Sequence, residues 1–292
     1  MNKHKHCLIC DSQRLKKLEG YYDRHELIKC ESCGLVFMEN IPTIGELNKY
    51  YLEYSYSSDG YLSPLTVKSY NLLLDEFELY RKTNKILDVG CGRGWFLQEA
   101  KKRGWDVYGT EYSKEAIKIG ESNGLEMKAG KLNPDTFSNG EFDVITSFEV
   151  IEHINNPRED TSHIYNFLRK GGLFYLTTPN FNCYLRFHLK ADYNIIVYPE
   201  HLTYYTKRTL KKILREQGFK AVKVLTTGIS ITRLKTSKKA KSEKLVSNES
   251  SDEKLRQQIA KKWYLESMKI IANKLLTIFG IGLSLKGYFI KK

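Results

Sequence analysis

Three glycines and two carboxylates are spaced closely enough in one stretch of the chain to form a ligand-binding turn. Gly90, Gly92 and Gly94 follow directly on an apolar run, and a turn built from them exposes bare backbone to a ligand. Asp88 stands two residues before Gly90, and Glu111 comes 21 residues after Gly90, at the end of a second apolar run. A carboxylate at that second position can accept two hydrogen bonds from ribose hydroxyls. The spacing therefore predicts a nucleoside-binding turn.

The acid inside this turn distinguishes two classes of nucleoside ligand. A dinucleotide needs the pattern G-x-G-x-x-G, so that its pyrophosphate can sit at the start of a helix. Asp88 would repel a pyrophosphate, whereas it suits a cationic or zwitterionic ligand. S-adenosylmethionine carries a sulfonium and an amino group, and it has no phosphate. The turn therefore favours S-adenosylmethionine and disfavours a dehydrogenase, the alternative being a plain strand-to-helix turn without a ligand.

Four of the six cysteines form two closely spaced pairs near the start of the chain. Cys7 and Cys10 form one C-x2-C pair, and 19 residues separate it from the second pair, Cys30 and Cys33. The pattern is typical of a four-thiolate zinc site, in which each pair wraps around the metal. A closed site of this kind has no open coordination position, so the zinc would be structural. Free buried thiols and a redox pair are the alternatives.

Candidate catalytic residues follow the predicted fourth strand, in FEVIEHINNP. Methyl transfer to an oxygen requires removal of the acceptor's proton, so we consider His153 first as general base, with Glu152 orienting it. One alternative is a divalent metal held by Glu149, Glu152 and His153, which share one face of a helical turn. In another, Glu149 contacts only the cofactor, and the Glu-His pair braces the loop. His201, in YPEHLTYYTKRTL, is the second candidate base, unless it is simply a structural histidine.

Strand-like and helical runs alternate from residue 84 onward and position these residues. The strand-like runs are KILDV, DVYGTE, LEMKAG, FDVITSFEV, LFYLTTP, KAVKVLTTG and a final LKGYFIKK. Helices between strands imply right-handed crossovers, and ligands of such sheets bind at the carboxyl ends of the strands. The sequence predicts an α/β, Rossmann-like fold. It has a seven-stranded, mostly parallel sheet, a small N-terminal four-Cys module, and a C-terminal helix before an antiparallel last strand.

The same patterns divide the chain into regions. Residues 1–40 form the zinc-ribbon-like module, and residues 41–82 form a helical linker or lid over the active site. Residues 83–292 form the catalytic domain, in which residues 230–283 are a basic loop and helix inserted before the last strand. Residues 180–199 are rich in Tyr, Phe and Arg and predict a substrate lid. The helix REDTSHIYNFLRKGG is expected to end at its glycine pair.

Composition limits the partners of the chain. The formal net charge is +13, from 47 basic and 34 acidic residues. A positive field favours nucleic acid, acidic lipid or nucleotide-linked substrates, although lysines also simply solvate a surface. No aromatic-basic stripe indicates a nucleic-acid-reading face, so we expect no nucleic-acid partner. The chain begins without an apolar core of signal-peptide length and has no spanning segment, which predicts a cytoplasmic protein. The oligomeric state is not predicted.

The long amphipathic segment at residues 253–280 has two interpretations. In the first, it is one helix that packs on the sheet before the final strand. In the second, it is a basic helix that contacts an anionic membrane surface.

Several of these motifs together resemble class I S-adenosylmethionine-dependent methyltransferases. The segments LDVGCGRGWFL, GTEYS, FDVITSFEVIEHINNP and LRKGGLFYLTTPN match their order and spacing over residues 84–228. The resemblance implies that the glycine turn passes close to the methionine part of the cofactor, with Asp88 orienting it. Many relatives carry an acid near the position of Lys131, and this chain has none there. The cofactor contacts implied are Asp88, Gly90, Cys91, Gly92, Gly94, Glu111 at the ribose, Tyr112, Gly130, Lys131 and Leu132 at the adenine, and Glu149.

The N-terminal cysteine pairs, followed by CGLVFMENIP and YYLEYSY, resemble a module of bacterial methyltransferases from polysaccharide and sugar-modification pathways. This resemblance implies O-methylation of a glycan-type or other small-molecule acceptor, with a structural zinc. The E-x-x-E-H stretch also resembles ubiquinone-pathway O-methyltransferases, which makes Mg²⁺ on that stretch the nearest alternative. A zinc-ribbon protein that binds or methylates RNA is the alternative from a different class.

Overall fold

The computed structural model describes residues 2–43, 45–47, 61–230, 233 and 251–292. Within residues 2–43 a small sheet forms around the two cysteine pairs. Its strands pair antiparallel in hairpin fashion, and the cysteines lie in the turns at their ends. The elements of this part are β1 (Asn2–Lys3), β2 (Leu15–Lys17), α1 (Tyr22–His25), β3 (Leu27–Cys30), β4 (Val36–Met38) and β5 (Asn40–Ile41).

A large sheet of seven strands lies at the centre of the protein. The helix α2 (Pro64–Phe77) precedes it and packs on α3, and the glycine turn connects β6 to α3. The elements of the first half are β6 (Lys85–Val89), α3 (Trp95–Lys102), β7 (Asp106–Glu111), α4 (Lys114–Ser122), β8 (Glu126–Ala129), β9 (Phe142–Phe148) and α5 (Pro157–Phe167). Those of the second half are β10 (Leu168–Pro179), α6 (Tyr184–Leu189), β11 (Thr203–Tyr204), α7 (Lys207–Glu216), β12 (Phe219–Thr227), α8 (Ser251–Ala260), α9 (Trp263–Phe279) and β13 (Ser284–Lys291).

The strand order of this sheet is β12-β13-β10-β9-β6-β7-β8. Strand β13 runs antiparallel to both neighbours, and the pairs from β10 to β8 are parallel. The predicted fold class is therefore confirmed, with a seven-stranded mixed sheet. Central strands β6 and β9 are buried along almost their whole length, because helices cover both faces of the sheet. Because β6, β7 and β9 run parallel to one another, their carboxyl ends lie at the same edge of the sheet.

At the opposite edge of the sheet, where the parallel strands begin, the buried carboxylate of Asp143 ties neighbouring chain segments together. Its Oδ2 accepts hydrogen bonds from the backbone N–H groups of Lys82–Asn84, at 2.7, 2.7 and 2.8 Å. Its Oδ1 accepts from the guanidinium of Arg169. This pairing explains why α5 ends at Phe167 and not at the predicted glycine pair, residues 171–172. Arg169 lies in extended chain, where it can reach the carboxylate.

The small N-terminal sheet and the large sheet share a core. Strand β11 joins β4, so that the small sheet has the order β11-β4-β3-β2. Ile9, Leu35 and Phe37 of the N-terminal part belong to the same buried cluster as Leu87 of β6 and Leu210 of α7. The cysteine module therefore packs directly on the Rossmann-like domain.

Residues 180–199 do not form a lid over the glycine turn. This segment packs on the N-terminal sheet, where Phe181, Leu185 and Tyr193 bury against Val36 and Met38. Within this segment, Arg186 stacks its guanidinium on two phenylalanine rings and donates to the hydroxyl of Tyr21 at 3.3 Å.

The predicted C-terminal helix is two helices. Helix α8 ends at Ala260, and α9 begins at Trp263 after an extended Lys262. Of the basic loop and helix predicted for residues 230–283, residues 231–232 and 234–250 lie outside the described residues, as do residues 48–60 of the predicted linker. Among the described residues, every helix is too short or too polar to cross a bilayer.

Candidate active site

The glycine turn adopts left-handed backbone at all three glycines. The φ angles of Gly90, Gly92 and Gly94 are 69°, 54° and 73°, a region that residues with a Cβ rarely enter. A Cβ on Gly90 would also lie 2.6 Å from Cγ2 of Val150. One on Gly94 would lie 2.2 Å from Cδ1 of Leu125, which packs against α3. Gly94 is therefore needed for packing, and Gly90 for the close approach of the turn to Val150.

Glu111 holds the turn in this conformation. Its Oε2 accepts the backbone N–H of Gly92 at 2.9 Å. Its Oε1 accepts the N–H groups of Tyr112 at 2.7 Å and Ser113 at 3.0 Å. Three charge-assisted hydrogen bonds thus position the carboxylate at the end of β7. Oε1 already accepts two hydrogen bonds, whereas Oε2 accepts one and keeps a second lone pair, so a ribose hydroxyl can be added at Oε2 without breaking this network.

Asp88 lies beneath the turn and is almost fully buried. Its Oδ1 accepts the hydroxyl of Thr146 at 2.7 Å. Burial raises the pKa of Asp88 to about 7, and the negative charge of Glu111 adds to the effect. A cation bound above the turn would favour the ionised carboxylate, so this environment discriminates by charge.

A cavity of about 460 Å³ opens at this edge of the sheet. It brings together seven residues predicted from the sequence: Gly90, Glu111, Tyr112, Gly130, Lys131, Leu132 and His153. The other predicted residues at this edge, Asp88, Cys91, Gly92, Gly94, Glu149, Glu152 and His201, lie around the cavity without lining it. Its remaining wall is formed by Leu47, Val89, Thr110, Val150, Ile154, Asn155, Asn156 and Asp160.

Asp160 is a site residue that the sequence reasoning missed. It lies in the first turn of α5, and its Oδ1 is buried without a hydrogen-bond partner, 3.5 Å from Nζ of Lys131. Burial raises its pKa to about 6. Asp160 thus places a carboxyl group beside Lys131 from another element of the fold. The signal was present, because Asp160 shares the buried face of α5 with Ile164 and Phe167 at helical spacing.

His153 and His201 lie together beside the cavity. Their ring centroids are 4.8 Å apart, and the rings are tilted by 67°. Nδ1 of His153 lies 2.6 Å from the carbonyl oxygen of Glu200, and Nδ1 of His201 lies 2.6 Å from that of Ile195. A carbonyl only accepts, so each ring donates through Nδ1–H, and each Nε2 keeps its lone pair. His153 lines the cavity, with His201 behind it.

Both imidazoles are held in the neutral form. Burial lowers the pKa of His153 below its usual value. Burial, together with the adjacent His153, lowers that of His201 to about 4. Glu152 is buried beside them, and its Oε2 accepts the hydroxyl of Thr178 at 2.9 Å. Burial and the charge of Glu149 raise the pKa of Glu152 well above its usual value. The site therefore holds a neutral base next to a weakly acidic carboxyl group.

The predicted trio of Glu149, Glu152 and His153 is not the group that the fold assembles. Glu149 turns away at a φ of 54°, and the hydroxyl of Ser284 donates to its carboxylate at 3.2 Å. Ligand atoms of Glu152, His153 and His201 instead lie within 4.8 Å of one another. Oε1 of Glu152 is buried without a hydrogen-bond partner and lies 3.9 Å from Nε2 of His153. Two imidazoles and one carboxylate suit Mn²⁺, Fe²⁺ or Zn²⁺ better than Mg²⁺.

The four N-terminal cysteines converge on one point. Sγ of Cys7 lies 3.4 Å from that of Cys33, and Sγ of Cys10 lies 3.6 Å from that of Cys30. Thiolates around a tetrahedral zinc would lie about 3.8 Å apart. The pairs sit in matching turns, in which the N–H of Asp11 donates to the carbonyl of Cys7 at 3.1 Å and that of Gly34 to Cys30 at 2.8 Å. The sulfur positions therefore fit a zinc ion.

Comparison with known proteins identifies the family. A methyltransferase-domain family matches residues 66–224, more than half of the chain. The chain belongs to this methyltransferase family. The protein is accordingly an S-adenosylmethionine-dependent methyltransferase.

Curated relatives of this methyltransferase are more distant. A ubiquinone biosynthesis O-methyltransferase of Azoarcus sp. is 27% identical over 151 residues, which are 47% of this chain and 65% of the relative. One of Alkalilimnicola ehrlichii is 29% identical over 125 residues, 40% of this chain and 51% of the relative. The matched segment spans less than two-thirds of either relative's length.

Solved structures show the same fold. An S-adenosylmethionine-dependent methyltransferase from Archaeoglobus fulgidus superposes with a TM-score of 0.53 at 20% identity, covering 83% of this chain and all of that one. A geranyl diphosphate methyltransferase in complex with S-adenosylmethionine superposes with a TM-score of 0.51 at 17% identity, over 78% of this chain and 86% of that one.

The methyltransferase should lose cofactor affinity on the substitution Gly90→Ala. The Cβ would be strained by the positive φ and would press on Val150 in the cavity wall, so we expect affinity for S-adenosylmethionine to fall more than about tenfold. Gly130→Ala is the matched control, because Gly130 also lines the cavity at a φ of 89° but has nothing within 4 Å of the added carbon. Isothermal titration of S-adenosylmethionine measures both.

Adding Val150→Ala to Gly90→Ala should recover part of the lost affinity, because it removes the contact and leaves only the backbone strain. Equal losses in the two single glycine variants would contradict the proposed role of Val150.

Proposed function

We propose that this methyltransferase transfers the methyl group of S-adenosylmethionine to an oxygen of a glycan-type or other small-molecule acceptor, with His153 as general base. The observation that carries the proposal is the state of His153. Burial lowers its pKa and so favours the neutral form, it lines the cavity beside the glycine turn, and Nδ1 is fixed on the carbonyl of Glu200, which leaves the lone pair on Nε2.

The proposed reaction is a displacement at the sulfonium methyl carbon. The acceptor oxygen forms the new C–O bond as the C–S bond breaks, which leaves S-adenosylhomocysteine and the methyl ether. Nε2 of His153 takes the proton of the acceptor hydroxyl, which general-base catalysis requires near neutral pH. Alignment of the acceptor with the C–S bond supplies much of the rate enhancement.

Residues on the other side of the cavity fit the nucleoside. Glu111 offers the remaining lone pair of Oε2 to a ribose hydroxyl, and Asp88 supplies negative charge beneath the cationic methionine part. Oδ1 of Asp160 faces Nζ of Lys131 at 3.5 Å and has no hydrogen-bond partner, so it is an acceptor for the exocyclic amine of adenine, flanked by Gly130 and Leu132. A donor from the ligand would give this buried oxygen the hydrogen bond that it lacks.

A structural zinc on Cys7, Cys10, Cys30 and Cys33 is the second part of the proposal. The convergent thiols and the paired turns support it. The zinc would hold the turns from which β3 and β4 extend, and β4 hydrogen-bonds to β11. It would therefore support the loop that carries His201 without touching substrate.

A divalent metal on Glu152, His153 and His201 is the alternative for the catalytic step. Two observations favour it: the unpartnered Oε1 of Glu152, and backbone carbonyls behind both imidazoles, which is how metal-bound histidines are commonly oriented. The curated relatives named for ubiquinone biosynthesis make a hydroxylated aromatic acceptor the matching substrate class. When bound, the metal would polarise an acceptor hydroxyl.

His153→Gln is expected to reduce kcat about a hundredfold or more, because the base is lost. The assay uses methyl-labelled S-adenosylmethionine with a panel of hydroxylated sugars and catechols. His201→Gln, behind the cavity, should cost less than about tenfold. With a lowered His153 pKa, the base form persists below pH 6.5, so activity should fall only as the pH drops through that lower value. Imidazole NMR should give the same titration, and a His153 pKa above 6.5 would contradict this role.

Metal dependence separates the alternative from general-base catalysis. If a metal acts, then Glu152→Gln and His201→Gln should each lower activity as much as His153→Gln, and Mn²⁺ should restore chelator-treated wild type better than Mg²⁺ does. Mn²⁺ binding followed by electron paramagnetic resonance should then disappear in Glu152→Gln. Activity that is unaffected by chelation, at constant zinc content, would eliminate the metal mechanism.

Purified protein should contain one zinc per chain by elemental mass spectrometry, and Cys30→Ser should lose it. Loss of zinc should reduce methyl transfer much more than affinity for S-adenosylmethionine, because the glycine turn lies on other strands. Cys183→Ser, a buried thiol outside the cluster, is the control and should retain the metal. Full activity in Cys30→Ser, or purified protein without zinc, would contradict the structural role.

A further inference from the structure

Helix α9 presents an apolar stripe to solvent. Tyr264, Met268, Ile271, Leu275 and Ile278 recur at steps of four and three residues, which places them on one face. All five are exposed, and Ile278 is 74% exposed. Trp263 and Phe279, at the two ends of the helix, are 80% and 67% exposed. No residue of α9 is buried, so the stripe contributes nothing to the core.

The side of α9 that faces the protein carries Asn273 and Thr277 among half-buried apolar residues. Oδ1 of Asn273 accepts the backbone N–H of Gly228 at 3.0 Å. The hydroxyl of Thr277 accepts the N–H of Thr226 at 3.1 Å and donates to its carbonyl at 2.9 Å. These bonds fix the rotation of α9 against the end of β12. The apolar stripe therefore remains on the outer side, where an ordinary surface helix is polar.

Positive charge surrounds this stripe. Lys261 and Lys262 precede the helix, and Lys269 and Lys274 lie within it, whereas Glu266 is its only acid. A second copy of the chain placed on this face would bring these lysines against one another. An anionic surface would neutralise them, in keeping with the net charge of +13.

We propose that α9 docks this methyltransferase on an anionic lipid bilayer, lying in the plane of the interface. Its apolar stripe enters the boundary between headgroups and acyl chains, Trp263 and Tyr264 occupy the interfacial zone, and the lysines contact anionic headgroups. This surface is separate from the cavity and does not depend on the acceptor chemistry proposed above.

The docked helix would bring the bilayer close to the loop that follows β10. The side-chain amide of Asn180, just after β10, donates to the carbonyl of Gly280 at 3.0 Å and to that of Gly282 at 2.7 Å. The N–H of Tyr184 donates to the carbonyl of Ile281 at 3.0 Å. The end of α9 is thus tied to the carboxyl edge of the sheet, where the cavity opens.

Vesicle sedimentation tests the proposal with the full chain. The wild type should bind vesicles of phosphatidylcholine mixed with phosphatidylglycerol, bind phosphatidylcholine alone much more weakly, and dissociate as salt is raised. Ile271→Glu combined with Ile278→Glu should weaken partitioning about tenfold or more. Lys118→Glu is the matched control, because it lowers the net charge by the same two units. Lys118 is exposed on α4, beside the opposite edge of the sheet, so this variant should weaken partitioning far less.

Trp263 provides a direct optical readout. Its fluorescence should shift to the blue when anionic vesicles are added, and the shift should be absent in Trp263→Phe. Circular dichroism of each variant verifies folding, since the substituted side chains are exposed.

The proposal is overturned if the wild type ignores anionic vesicles, or if the double glutamate variant binds them equally well. It is also overturned if analytical ultracentrifugation finds a wild-type dimer that the double variant converts to a monomer, because a second copy would then cover the stripe. None of these results bears on catalysis, which the cavity variants test separately.

Discussion

The backbone of Leu202 links the cysteine module to the catalytic edge, and the arrangement of the site depends on it. Its carbonyl accepts the N–H of Met38, the last residue of β4, at 2.9 Å. Its N–H donates to the carbonyl of Glu152 at 2.8 Å. One residue is thus held between the N-terminal sheet and the turn that carries Glu152 and His153, and His201 is its immediate neighbour. The hydrogen bonds of the N–H and the carbonyl of Leu202 therefore hold His201 beside the turn that carries His153.

This connection gives the cysteine module a physical role at a distance from the reacting atoms. Strand β11 has only two residues and could not remain extended without a partner strand. The partner is β4, whose fold depends on the turns formed by the cysteines. Phe37 and Leu210 lie in one buried apolar cluster, and this packing adds to the backbone hydrogen bonds. A metal that stabilises the module would therefore stabilise the geometry of the histidines.

Buried carboxylates characterise the cofactor side of the cavity. Asp88 and Asp160 both have raised pKa values because burial disfavours their charged forms. Such groups are unfavourable in the empty site and become favourable when a ligand brings a positive charge or hydrogen-bond donors. Glu111 differs, because three backbone N–H groups already donate to it. The side of the cavity that receives the nucleoside is therefore pre-organised by backbone, and its selectivity comes from charge.

The sequence by itself determined the seven strands, the left-handed glycine turn and the two cysteine pairs, because these depend on local apolar patterns and on short spacings. The tertiary structure decided what long-range contacts assemble. It placed His201 beside His153, turned Glu149 away, and brought Asp160 to Lys131 from another helix. It also directed the side of α9 that carries Asn273 and Thr277 inward, because hydrogen bonds at the end of β12 fix a rotation that amphipathic periodicity leaves open. Local spacing specifies elements, whereas the partners of their side chains are set by elements distant in the chain.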